Sequence, residues 1–103
     1  MAKMLLIIMN EDEERIRMPL SFAKNQIQLG NEIRAVFWGP SERAMAGNDQ
    51  LRRECSSIVK LKACINSAKK YGLESKLFYD LELIPVGEYI SRSITEGFEA
   101  ITF

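Results

Sequence analysis

Apolar and polar positions along the chain follow two different periods. Lys3–Met9 carries an unbroken apolar run closed by Asn10. A run of that length without polar alternation predicts a strand buried on both faces. Asn10–Arg17 is polar and charged, and reads as a loop at the carboxyl end of that strand. Pro19 suits the first turn of a helix, where a missing N–H is no loss. Leu20, Ala23 and Ile27 then follow at helical spacing, with Lys24, Asn25 and Gln28 facing water. Gly30 ends the helix.

Glu32–Trp38 predicts a second strand, broken by Gly39-Pro40. Pro40 or Ser41 opens a helical stretch to Ala46. Gly47-Asn48-Asp49 is a break, and Asp49 is placed to cap Gln50–Cys55; two short helices and one kinked helix both fit. Val59–Ala63 predicts a third strand, Cys64 a junction, and Asn66–Tyr71 a short helix stopped by Gly72. Leu73–Asp80 reads as a linker anchored by Leu77 and Phe78. Leu81–Pro85 predicts a fourth strand. Val86–Glu96 predicts a helix with Tyr89, Ile90 and Ile94 on one side, stopped by Gly97, and Phe98–Phe103 a fifth strand. Strands alternating with helices in this order predict one α/β domain over 1–103: three layers, α/β/α, around a five-stranded, mostly parallel sheet.

The third strand is unusual. Val59, Leu61 and Ala63 alternate with Lys60 and Lys62, whereas a central parallel strand is normally apolar on both faces. Either the lysines reach water past a thin helix layer or the strand lies near an edge. Lys60, Lys62 and Cys64 share a face by the two-residue period.

Composition narrows the function. The chain has 103 residues, 47% hydrophobic and 27% charged, with a formal net charge of zero. That is ordinary for a soluble globular domain and offers no basic field for nucleic acid or anionic lipid. The apolar run at Met4–Met9 is far shorter than the ~20 residues of a membrane span, and Glu11–Glu14 follow where a signal peptide needs small residues. The cytoplasm is therefore the expected location. There are two cysteines and no histidine. These exclude a Cys-His dyad and a Ser-His-Asp triad, and are too few for a closed zinc site. No dinucleotide glycine fingerprint or P-loop occurs, so no cofactor is expected.

Cys64 is the candidate for chemistry. At a strand-to-helix junction it falls on the carboxyl edge of the sheet, where ligands collect in open α/β folds. The positive end of the following helix favours a thiolate there, and Lys62 with the amides of Ile65–Ser67 would help hold an anionic sulfur. Against this, free cysteine is among the most buried residue types. Cys55, at the end of a helical stretch, reads as a packing residue; a Cys55–Cys64 disulfide is not excluded by sequence. Asn10, Gly39, Ser41, Asn66, Gly87 and Glu88 all fall at the same carboxyl edge, with Asn66 expected to cap the helix after Cys64. Phe37 reads as core, and Trp38, at the strand end, as core or as the wall of a pocket or subunit interface. Glu11–Glu14 reads as a solvated acidic loop.

An ordered set of motifs carries a resemblance. Phe22-Ala23 with Gly30, Phe37-Trp38-Gly39, Ala63–Ala68, Ile84–Ile90 and Gly97–Ile101 run through nearly the whole chain and together resemble the DsrE-like family. The resemblance implies a DsrEFH-type domain with flavodoxin-related winding that assembles as an oligomer. It also implies, as in the sulfur-relay members, a persulfide carried on the cysteine after the third strand, here Cys64, between donor and acceptor proteins. The polar third strand and the charged Ser41-Glu42-Arg43 depart from the family. The first expectation is thus a sulfur carrier acting through Cys64. The second is a non-catalytic oligomeric binding module whose cleft is lined by Asn10, Trp38 and Asn66. An oligomer is also expected from the apolar candidates for exposure: Trp38, Phe78, Tyr79, Tyr89 and Phe103.

Overall fold

The computed structural model describes residues 1–77 and 80–103. Five strands, β1 (Lys3–Ile8), β2 (Glu32–Phe37), β3 (Leu61–Cys64), β4 (Glu82–Ile84) and β5 (Glu99–Thr102), form one sheet in the order β4-β3-β2-β1-β5. Every pair is parallel. The helices are α1 (Glu13–Gln28), α2 (Pro40–Ala46), α3 (Asp49–Ser56), α4 (Ile65–Lys70), α5 (Glu74–Leu77) and α6 (Val86–Thr95). The expected three-layer α/β/α domain with a five-stranded sheet is what forms. None of the described helices is long and apolar enough to cross a membrane.

The layers are unequal. Leu6, Ile8, Ala35, Phe37, Leu61 and Ala63 point to one side of the sheet, where they meet residues of α1 to α5, including Ile16, Leu20, Met45, Leu51 and Leu77. Leu5, Ile7, Val36 and Cys64 point to the other side, where they meet Val86 and Tyr89 of α6, with Phe98.

Local chemistry explains where elements begin and end, and it moves several expected boundaries. α1 starts at Glu13, inside the expected loop, because the Asp12 side chain accepts from the Arg15 amide at 3.1 Å. Glu13 and Glu14 then sit at the positive end of the helix dipole. Pro19 is consequently inside the helix and not in its first turn; it removes the bond that would reach the Arg15 carbonyl. Two short helices fill the Pro40–Ser56 region. The second is capped by Asn48, whose Oδ1 accepts from the Leu51 amide at 3.0 Å, and not by Asp49. The buried Arg52 guanidinium donates to the Met45 and Ala46 carbonyls at 2.6 and 2.9 Å, closing the end of α2.

β3 begins at Leu61, later than expected, because the amides of Ile58 and Val59 are spent on the Cys55 carbonyl at the end of α3. The expected linker contains α5 up to Leu77; Phe78 and Tyr79 lie outside the described residues. On α6 the buried face is Val86, Tyr89 and Ser93, and Ile94 is 55% exposed. This corrects two expectations: Ile94 is not on the packed side, and Tyr89 is not exposed.

Candidate functional site

The connection after β3 runs into α4 on the thick side of the sheet, and the connection after β4 runs into α6 on the thin side. Neighbouring strands whose connections leave in opposite directions open a crevice at their carboxyl ends. Cys64 and Ile84, the last residues of β3 and β4, are register partners at that point. The junction expected for Cys64 is therefore also the switch point of the fold.

Cys64 itself is closed off. It is 2% exposed and packs among Val36, Val86, Tyr89 and the half-buried Ile84 and Ile90. Its backbone caps α4, and no side chain bonds at that cap. Cys55 is also a free thiol, buried in the cluster on the opposite side of the sheet. The sheet separates the two, which rules out the Cys55–Cys64 disulfide. Burial, with the nearby Glu54 charge adding, pushes the Cys55 thiol up to about 11. It is a packing residue, as expected.

Beside Cys64 lies a polar groove of about 310 Å³ between α6 and the thin side of the sheet. Its cations are Arg34, Lys62 and Arg92, its anions Glu82, Glu88 and Glu96, and its apolar wall Ile84, Pro85 and Tyr89. Arg34 donates to Ser93 Oγ at 3.0 Å and to Glu96 at 2.5 Å, and its guanidinium stacks 4.1 Å from the Phe98 ring centre. Lys62 bonds Glu82 across the strands, and this bond with the lysine charge holds the Glu82 carboxyl below its ordinary range. The Lys62 ammonium also lies 5.5 Å from the Tyr89 ring. Burial pushes the Tyr89 hydroxyl up; Arg34 opposes this, while Glu82 and Glu96 add to it. Lys62 shares the face of Cys64, as the alternation predicts, but its charge is engaged by Glu82 and not by the thiol. β3 lies one strand from the sheet edge, on a side with a single helix, and that resolves its polar alternation.

A second polar knot stands at the carboxyl ends of β2 and β3. Gly39 has φ +71°, a conformation that favours glycine. The turn aims its N–H at Glu42 Oε1, 3.0 Å away, and at Ser67 Oγ, 3.3 Å away. Ser67 donates to the same carboxylate oxygen. Glu42 Oε2 is buried with no partner among the described residues. Burial raises the Glu42 carboxyl above its ordinary range, although the bonds from Ser67 and Gly39 pull the other way. Ser41 donates to the Ile8 carbonyl at 2.6 Å. The Ser41-Glu42-Arg43 segment is thus the first turn of α2, with Ser41 and Glu42 fully buried.

The other expected site residues scatter along the carboxyl edge. Asn10 accepts from the Asp12 amide at 2.9 Å and lines an apolar groove beside α1. Trp38 is 36% exposed. Asn66 is exposed within α4 and caps nothing, because Cys64 holds the cap position. Gly87 is exposed in the first turn of α6. Of the three residues expected to line a shared cleft, Asn10 borders the groove beside α1, while Trp38 and Asn66 border neither that groove nor the one beside α6. Sequence reading missed Arg34, Tyr89 and Glu82 as groove residues. The signal for Arg34 was present: in Glu32–Phe37 it shares a strand face with Val36, as a half-buried cation in the middle of the strand.

These features define a doubly wound parallel α/β domain with a closed thiol at its switch point and a polar groove beside it. No family model and no curated protein matches the chain. Among solved structures, a conserved protein of unknown function from Bacteroides thetaiotaomicron has the same fold. Its TM-score is 0.81 over 96% of this chain and 94% of that one, at 17% identity.

Proposed function

We propose that the chain is a DsrE-like domain that binds a small polar ligand in the groove beside α6, with Cys64 packing beneath the site. The observation that carries this reading is the enclosure of Cys64, 2% exposed among aliphatic and aromatic groups, beside an open groove lined by charge. A nucleophile must meet its donor, whereas a binding groove needs only converging polar groups. The groove carries three cations and three anions, so a ligand bearing both signs matches it better than a simple anion. Titration calorimetry with a panel of free amino acids, dicarboxylates and inorganic phosphate tests this. Heat from a zwitterionic member, lost in Lys62→Ala, is the expected result; no heat from any member overturns it.

A second reading, sulfur transport through Cys64, is favoured by the position of this thiol at the switch point and by the resemblance in Ala63–Ala68. In that reaction the Cys64 thiolate attacks the outer sulfur of a donor persulfide. A new S–S bond forms on Cys64, the donor S–S bond breaks, and the donor leaves as a thiolate. The enclosure requires α6 to move aside first. Incubation with a persulfide donor followed by intact mass measurement separates the readings. A gain of one sulfur atom that Cys64→Ser abolishes supports transport, and an unmodified chain supports binding alone.

A further inference from the structure

The edge of the sheet formed by β5 is uncovered, and an apolar groove of about 630 Å³ runs beside it. Met18 and Phe22 of α1 form one wall, and Ile101 and Phe103 the other. Met18 is 67% exposed, Phe22 36% and Phe103 37%. An open edge beside apolar side chains is a template for another strand.

The register of the sheet says which backbone groups are free. Phe103 bonds inward to β1, donating to the Ile7 carbonyl and accepting from the Met9 amide, each at 2.8 Å. By the two-residue alternation of a strand, the N–H and C=O of Ala100 and Thr102 point outward. Glu99, Ile101 and Phe103 face the α1 side, because Glu99 and Ile101 align with Met4 and Leu6. Charge is distributed unequally along this edge. Arg15 lies beside Phe103 at the carboxyl end and Glu99 lies at the amino end. Neither forms an ion pair among the described residues.

We propose that β5 is the contact edge of a two-fold dimer of this chain, in which two sheets join antiparallel through their β5 strands. Ala100 exchanges both backbone bonds with Thr102 of the partner subunit, and the symmetry repeats the exchange. That register sets Ile101 against its own copy at the axis and Glu99 opposite Phe103 of the partner subunit. Glu99 then meets Arg15 of the partner subunit. Met18 and Phe22 cover the joint on the α1 side. A second copy is the occupant because the edge is complementary to itself: its charged ends are opposite in sign and an antiparallel two-fold brings them together twice. This inference does not depend on the groove beside α6 or on Cys64.

Sedimentation velocity on the full chain at micromolar concentration tests it, with circular dichroism as the check on folding. The expected species is a dimer of the 11.8 kDa chain. Ala100→Pro removes an outward N–H and leaves the bonds to β1 in place, so it yields a folded monomer. Arg15→Glu and Glu99→Arg each weaken association about tenfold, and the double exchange restores it. The charge exchange remains decisive if the proline variant fails to fold. A wild-type monomer, a dimer indifferent to Ala100→Pro in a folded variant, or a double exchange that does not restore association overturns the proposal. Association only with a foreign strand peptide also overturns it.

Discussion

The two sides of this sheet are built from the same strands and differ in almost everything else. The side facing α1 to α5 is a deep apolar core in which Phe37, Leu6 and Ile8 are fully enclosed. The side facing α6 holds a small cluster around Leu5, Ile7, Val36 and Cys64, fringed by Arg34, Lys62 and Glu82. The connectivity causes this: three successive crossovers move one way along the sheet and stack their helices on one face. The return from β4 to β5 leaves α6 alone on the other. A single helix cannot cover five strands, so charged residues are tolerated on the thin side, at alternate positions of strands whose other residues are core. Stability is concentrated on one face, and the candidate binding chemistry on the other.

The largest test of that division is Phe37→Ala. A fully enclosed aromatic removed from the deep core costs about 3–5 kcal/mol, read as a fall in the urea midpoint. A loss below about 1 kcal/mol would erase the distinction between the faces. Cys64→Ser on the thin side is expected to cost less, about 1–3 kcal/mol, by placing a hydroxyl among apolar groups. Alkylation of the native protein should leave both Cys64 and Cys55 unmodified, and both should react after unfolding. Rapid native labelling of Cys64 would show that the thin side opens readily.

The same asymmetry decides what the sequence could convey. The strands of the middle were legible because Lys3–Met9 is an apolar run and Glu32–Trp38 is mostly apolar, each too short for a helix. Helix ends were legible at Gly30, Gly72 and Gly97, each of which adopts positive φ. The start of α1 was not, because Asp12 looks like one more acidic loop residue until its side chain is seen accepting from Arg15. On α6, hydropathy placed Ile94 inward and missed Ser93. Arg34, distant in sequence, draws Ser93 to the sheet with a hydrogen bond. The site divides likewise. The junction of Cys64 follows from local pattern, but its enclosure depends on Val86 and Tyr89 arriving from the last crossover. Glu42 reads as surface charge, and only Ser67 and Gly39 make it a buried carboxyl.

Glu42 allows a smaller and more selective test. Its folded carboxyl keeps its proton above the ordinary 4.5 of an unfolded chain, chiefly through burial. The native state therefore binds more protons between that value and the raised one. Glu42's contribution is fully present below 4.5 and is lost as pH rises through the folded value. Glu42→Gln cannot ionise, so its stability relative to the wild type should improve as pH rises from 4.5 through the folded value and level off above it. The check is urea unfolding of both proteins across that range. A difference independent of pH would mean that the Glu42 carboxyl titrates normally and that the knot with Ser67 is open to water.

The smallest expected effect is the most pointed about the thin side. Ile94 is 55% exposed on α6, next to Ser93, which is buried. If α6 meets only water on its outer face, Ile94→Lys changes stability by no more than about 0.5 kcal/mol, as substitutions on open surface do. It would then raise solubility without altering mass in solution. The proposed dimer edge lies along β5 and α1, on the opposite side from α6, so association should be equally indifferent to this change. A substantial loss of stability or a fall in native mass in Ile94→Lys would show that another surface covers α6. The two faces would then be equally buried in the assembled protein, and the thinness of the α6 layer would belong to the isolated chain.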